Sequence, residues 1–304
     1  SANTAAILVT VDNTAPAAGT LSFTGLTDTG TDNTPDITQD GTFGLSLTGN
    51  EAGTTVAYQV STDDGANWST TTASQTSLAD ESYQFRAVVT DAAGNSANTA
   101  AILVTVDNTA PAAPSAALVS DTGTAGDYLT SNKAVNVNGL ESGATWQYSL
   151  NSGTTWNTGT GSSFNMTSDT TYGASVIQVR QADGAGNTSL VGSNAQQWKE
   201  DSTAPGAPTS LSYNTTTHTL TGNAEAGATI KVTVAGMSEG SGTATGGSFS
   251  IGLSPSWSGN KDINVTATDV AGNVSNIASV SNTKYPAGVA GEPINLALID
   301  PADH

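Results

Sequence analysis

The chain has 304 residues and a net charge of −19, with 26 acidic against 7 basic side chains, no cysteine and only two histidines. That balance excludes a surface that grips phosphates, whether of nucleic acid or of an anionic membrane. The missing thiols exclude a disulfide framework and a thiolate zinc site, and no apolar run approaches the roughly 20 residues of a membrane helix. No signal-peptide pattern opens the sequence.

Repetition organises the chain. Residues 1–18, SANTAAILVTVDNTAPAA, return letter for letter at 96–113. Asp12-Asn-Thr-Ala-Pro16 recurs at Asp107–Pro111 and, with one change, at Asp201–Pro205. Glu51-Ala-Gly53 recurs as Glu141-Ser-Gly143 and Glu225-Ala-Gly227. Asp91-Ala-Ala-Gly-Asn95 recurs at Asp183–Asn187 and Asp269–Asn273. Three units follow, 12–106, 107–200 and 201–284. Residues 1–11 read as the last strand of a preceding unit, and 285–304 as a linker and the start of a following one.

In chain order the local signals are those of strands. Tyr83, Phe85, Ala87 and Val89 alternate in unit one, and Ala101-Ile-Leu-Val-Thr-Val106 is a short β-branched run closed by a turn. Trp146 falls on the third strand of unit two, with Val56 and Ile230 in the same place in the other units. Trp68 and Trp156 follow the matching turns Asp63-Asp-Gly65 and Asn151-Ser-Gly153, where hairpin packing is the ordinary role of an aromatic. Ile230, Val232 and Val234 alternate in unit three, as do Ile263, Val265 and Ala267. Gly, Asn and Asp clusters break the chain every 8–12 residues, and no helical period is found. The fold class is all-β: tandem immunoglobulin-like β-sandwich domains in an extended array.

Three motifs in the same order three times, D-[NS]-T-A-P, E-x-G and D-x-A-G-N, resemble the bacterial Ig-like repeats of giant RTX or biofilm-associated adhesins secreted by type I systems. Unit two adds Gly143-Ala-Thr-Trp146-Gln-Tyr148, Asn151-Ser-Gly153 and Val179-Arg-Gln181 to that pattern. Unit three fits a shorter sister subtype. The resemblance implies an extracellular stalk on a bacterial surface, calcium at the domain junctions, and a part in attachment or biofilm. The glycine-rich calcium nonapeptides of such adhesins are absent from this sequence.

The residues support the calcium expectation separately. In such a sandwich the incoming chain and the loops after the second and sixth strands share one pole. That pole gathers Asp12, Glu51 and Asp91 in unit one, Asp107, Glu141 and Asp183 in unit two, and Asp201, Glu225 and Asp269 in unit three. Each carboxylate pair ~4 Å apart costs about 4 kcal/mol at an effective dielectric near ~20. Either the acids spread into solvent, ending strands as Asx turns, or a cation sits between them. Oxygen ligands without His or Cys select Ca²⁺. Pro16, Pro111 and Pro205 stiffen the backbone just beyond each leading Asp.

A second acidic region, Asp28 and Asp32, then Asp121 and Asp127, falls at the opposite pole between the first two strands, as a further ion site touching the next unit or as a solvated loop. Asp63 and Asp64 read as turn residues, and His218 as part of an exposed hairpin. No phosphate loop, nucleophile elbow or histidine pair suggests an enzyme. The expectation is a monomeric, calcium-stiffened extender whose partners are the neighbouring repeats of its own chain. A host, algal or biofilm ligand would bind through other regions. The alternative is a glycan- or protein-binding module, with Trp198 and Trp257 as candidate platforms, although packing against its own sandwich is the ordinary role of each.

Overall fold

The computed structural model describes residues 7–30, 36–254 and 259–285. Asp32, Trp257, Asp300, Asp303, His304 and the segment 286–304 lie outside the described residues. All regular structure among the described residues is strand. It forms three sandwiches, each with its own apolar cluster.

In unit one, Thr20–Thr24, Phe43–Thr48 and Ser74–Gln75 make one sheet. The other runs in the order Asp36–Thr38, Ile102–Val106, Glu81–Thr90, Thr55–Ser61, Ser69–Thr71. The alternation read from the sequence holds in Glu81–Thr90, where Phe85, Ala87 and Val89 are wholly buried. Phe23, Phe43 and Phe85 meet edge to face at 5.2–6.2 Å, the geometry that the ring quadrupoles favour. Asp36–Thr38 pairs parallel with Ile102–Val106, so the final strand runs straight from a sheet into Asp107.

Units two and three repeat the plan. In unit two Ser115–Leu118, Ala134–Asn138 and Ser163–Asn165 face the sheet built on Thr145–Ser149 and Gln178–Ala182. In unit three Thr209–Asn214, Thr219–Asn223 and Ser248–Gly252 face Met237–Thr243, Thr229–Val234, Gly259–Thr268 and Ala278–Tyr285.

Two expectations, on Val56 and on His218, need correction. Trp146 and Ile230 are core, but Val56 is 38% exposed. In unit two the link Gly159–Ser162 crosses the indole, whose Nε1 donates to Gly161 O at 2.9 Å. In unit one only two residues join Ser69–Thr71 to Ser74–Gln75, too few to cover Val56. Trp198 packs into its own sandwich, 5% exposed, as the packing reading of it expects. His218 does sit in a hairpin, yet it is half-buried and its Nδ1 lies 3.1 Å from the Tyr213 hydroxyl.

Trp68 and Trp156 pack as hairpin residues. Arg86 lies over the first ring and Arg180 over the second, each at 4.1 Å. Asp63 holds its turn through Ser61 Oγ and the Asn67 amide, each 2.8 Å from Oδ1. Those bonds, Asn67's first, pull its carboxyl down to about 2.

A Cβ on Gly159 would lie 2.2 Å from the Trp146 ring. Gly159→Ala is therefore expected to destabilise unit two by about 1–3 kcal/mol, the usual cost of overpacking. Urea unfolding followed by tryptophan fluorescence would read it, and an unchanged midpoint would contradict the packing described.

Candidate junction site

The D-x-A-G-N loop joins the last two strands, and its Asp first serves its own turn. Asp91 Oδ1 accepts the Ala93 and Asn95 amides, each at 2.9 Å, and Oδ2 accepts Asn95 Nδ2 at 2.8 Å. Asp183 repeats all three bonds with Ala185 and Asn187, and Asp269 bonds Asn273 in the same two ways. The glycines of the three loops have φ of 94°, 90° and 92°, a left-handed conformation that explains the residue type. The side-chain bond from Asn95, ahead of the backbone bonds, holds the Asp91 carboxyl below its ordinary range.

The Asn amide also reaches out of the loop. Asn95 Nδ2 donates to Asp12 O at 3.2 Å, Asn187 Nδ2 to Asp107 O at 3.0 Å, and Asn273 Nδ2 to Asp201 O at 2.7 Å. Each D-x-A-G-N loop thus holds the backbone of the D-[NS]-T-A-P linker. The E-x-G glutamate holds it further along: Ala17 N donates to Glu51 Oε2 at 3.4 Å, and Ala112 N to Glu141 Oε1 at 3.3 Å. Glu225 receives no such bond from the described residues. Linker carboxylates cap their own turns, with Thr14 N on Asp12 at 3.0 Å, Thr109 N on Asp107 at 2.9 Å and Thr203 N on Asp201 at 3.3 Å. Pro16, Pro111 and Pro205 are buried.

The nine predicted acids therefore gather at their poles. Asp12, Glu51 and Asp91 line one open cleft with Thr10 and Gly53. Asp201, Glu225 and Asp269 line another, of about 350 Å³. Asp183, through Asn187, and Glu141 hold the same linker at Asp107 and Ala112. Yet among the described residues no three acidic or histidine side chains form a group that could hold a metal as they stand. Backbone amides of their own turns hold the six aspartates, and linker amides hold Glu51 and Glu141.

Two partners went unseen in the sequence. Asp80, from unit one, accepts Asn108 N at 2.8 Å and Thr109 Oγ1 at 2.5 Å. Asp169, from unit two, accepts Ser202 N and Thr203 Oγ1, each at 2.9 Å. The preceding sandwich thus grips the linker from the other side. Both end Thr-Ser-containing turns, Thr76–Asp80 and Thr167–Asp169, but unequal spacing to the linker hides the match. The threonine hydroxyl in each case is the chief cause that lowers the carboxyl's pKa. The second of these linkers also carries a cation, with Lys199 Nζ 3.3 Å from Asp201 Oδ2.

The second acidic region shapes the long loop after the first strand. Asp28 Oδ1 accepts Gly30 N at 3.1 Å, Asp121 Oδ2 accepts Gly126 N at 2.6 Å, and Asp127 Oδ1 accepts Leu129 N at 2.9 Å. That loop touches the next unit: Thr29 Oγ1 donates to Ala185 O at 2.7 Å and Thr122 Oγ1 to Ala271 O at 2.5 Å.

Residues 14–108 match the family model described as a bacterial Ig-like domain, and residues 204–283 the one described as a bacterial Ig domain. The chain carries bacterial Ig-like repeats. No curated protein matches it. Similar solved structures include the FN1–FN3 domains of chicken CNTN1, at 14% identity over 89% of this chain and 99% of that one, with a TM-score of 0.33. The fibronectin(III)-like modules of Clostridium thermocellum CbhA align at 12% identity over 87% and 94%, with a TM-score of 0.22. The BSP domain of a biofilm associated protein aligns at 13% over 91% and 69%, with a TM-score of 0.23. Scores this low carry no whole-chain comparison; the fold assignment rests on strand order and the two family matches.

Asp80 and Asp169 have folded pKa values below their unfolded ones. Their contribution is present above the ordinary carboxylate value, ~3.9, and is lost as pH falls through the lowered folded value. Both joints are therefore expected to hold at pH 5 and loosen below about pH 4. Asp80→Asn should blunt the acid response at the first joint only. Backbone relaxation of Asn108 and Thr109 by NMR checks this; equal acid loosening in wild type and variant would contradict it.

Proposed function

We propose that this chain is an extender segment of a bacterial cell-surface adhesin, a series of Ig-like repeats whose joints are stiffened by calcium and which carries a ligand-binding tip away from the cell. The observation that carries this reading is the linker gripped from both sides, by Asp80 and by Asn187 with Glu141 at the first joint. Small interdomain contacts ordinarily leave a hinge. Here the linker backbone is bonded to both sandwiches, which suits a load-bearing spacer.

The donor set suits calcium in kind: carboxylate oxygens with backbone carbonyls close by, and no thiol or imidazole. Asp12 Oδ2, Glu51 Oε1 and Glu141 Oε2 receive no hydrogen bond from the described residues, so each has lone pairs to offer. An ion would draw these carboxylates inward and cancel the like charge at each pole. At the second joint Lys199 already offsets Asp201, so calcium has least to gain there. Extracellular modules of this affinity class, roughly 10⁻⁴–10⁻³ M, fill outside a cell and empty inside it. Secretion as an unfolded, cysteine-free chain by a type I system accords with that.

A glycan-binding module is less well supported. The rings of Trp68 and Trp156 are covered by arginines, and Trp198 is core.

Small-angle X-ray scattering of the chain in millimolar calcium and in EDTA tests the proposal. A longer maximum dimension and a sharper profile are expected with calcium. Identical curves, together with no bound calcium by elemental analysis, would overturn the stiffening.

A further inference from the structure

The end of unit two changes partners part-way. Gly192–Ser193 pairs with Gln178–Ala182, whereas Trp198–Glu200 pairs with Thr171–Tyr172 and, in parallel, with Leu129–Thr130. Between the two, Asn194 is 1% exposed and its side chain stands in for sheet bonds. Its Oδ1 accepts Ile177 N at 2.9 Å, and its Nδ2 donates to Gly173 O at 2.9 Å and Gln196 O at 2.7 Å. Ser115–Leu118 is an outer strand, paired only with Ala134–Asn138 among the described residues. Along it, facing Ala195 and Gln196, runs a cleft of about 440 Å³, within the size range of small-molecule sites. Leu118, Val119, Tyr128 and Trp198 give it an apolar wall, and Asp121 is the one charged residue that lines it.

Two features of this cleft do nothing for the sandwich. Asp121 Oδ2 accepts Gly126 N at 2.6 Å and Tyr128 N at 3.4 Å. Its Oδ1 is shut off from solvent and accepts no hydrogen bond from the described residues. A carboxylate oxygen so placed lacks the donor that would offset its desolvation. Tyr128 has φ of 59°, a left-handed conformation that a bulky side chain avoids. The strain does not serve burial of the ring, because Tyr128 is 39% exposed and Val119 45%. The backbone is nonetheless fixed there, with Tyr128 O accepting Lys199 N at 2.9 Å.

We propose that this cleft is a binding site for a small ammonium ion with an apolar body, an aryl- or alkylamine whose N–H groups complete Asp121 Oδ1 and whose carbon body lies against Val119, Tyr128 and Trp198. Charge decides the class. No basic side chain lines the cleft, Asp121 is an acceptor, and a chain of net charge −19 concentrates cations and repels carboxylates and phosphates. Aromatic side chains on the wall favour a cation as well. A bare metal ion would satisfy the oxygen but would leave the apolar wall without a partner. The proposal depends neither on calcium at the joints nor on the stalk reading.

The full chain is titrated near neutral pH, in calcium-free buffer, with phenethylammonium, with its neutral counterpart 2-phenylethanol and with the anion 3-phenylpropionate. Amide shifts and calorimetry report binding. Phenethylammonium should move the Val119, Asp121 and Tyr128 amides with a dissociation constant of roughly 1 mM. The alcohol should bind about tenfold more weakly, the factor that a charge-assisted hydrogen bond supplies, and the anion should leave these amides unmoved. Asp121→Asn keeps an oxygen for the loop amides but should bring the amine down to the affinity of the alcohol. Tyr128→Gly suits the left-handed backbone, so the unfolding midpoint should not fall while the amine weakens about tenfold. Unmoved Val119 and Tyr128 amides, or equal affinity for amine and alcohol, would overturn the proposal. Unchanged amine affinity in either variant would overturn the part assigned to that residue. Calcium alone moving the same amides and blocking the amine would also overturn it, because the Asp121 oxygen would then belong to a metal ion.

Discussion

Backbone between two sandwiches has no strand to pair with, so its carbonyls and amides must find partners elsewhere. In this chain they find side chains. The Asn that closes each D-x-A-G-N turn spends one amide hydrogen on its own Asp and the other on the carbonyl of the linker Asp. That pairing makes the turn and the joint one structure. It also explains why the motifs travel together: the Asp shapes the loop, the Gly permits it, the Asn carries the bond outward, and the linker supplies the acceptor.

From this constraint the rest of the pole follows. The linker is held close enough for Glu51 and Glu141 to take the amide just past the buried proline. In unit two Gln181, 1% exposed, braces the same region, donating to Ala112 O at 2.7 Å and accepting Glu141 N at 2.8 Å. Asp80 and Asp169 then reach the linker from behind. Acidity concentrates at the joints because carboxylates are good acceptors for several amides at once. An ion bound there, as proposed, would join a polar framework already organised by hydrogen bonds.

The sandwich fold was readily legible. Alternation in Glu81–Thr90 and in Thr229–Val234 is a local signal, and the repeated motifs located the loops. The poles were legible too, because the topology of the fold places the linker and two loops together. Other features depended on tertiary neighbours that no period encodes. Val56 and Trp146 share a strand position, yet their burial turns on the length of a distant link. Glu200 holds the place that Val106 takes in unit one, fully buried, with Oε2 accepting Asp169 N at 2.5 Å and Oε1 without a partner. The resemblance and the repulsion between carboxylates both suggest a cation; that most of these acids also accept backbone amides is something a sequence does not display.

The most direct test removes the Asn amide and reads the joint. Spin labels at Thr70→Cys and Asn157→Cys, both exposed and unique in a chain without cysteine, report the distance between units one and two. Pulsed double-resonance spectra should give one narrow distance peak for the labelled wild type and a broad distribution once Asn187→Ala is added, in the same calcium-containing buffer. Equal widths for the two proteins would contradict the claim that this side chain fixes the joint.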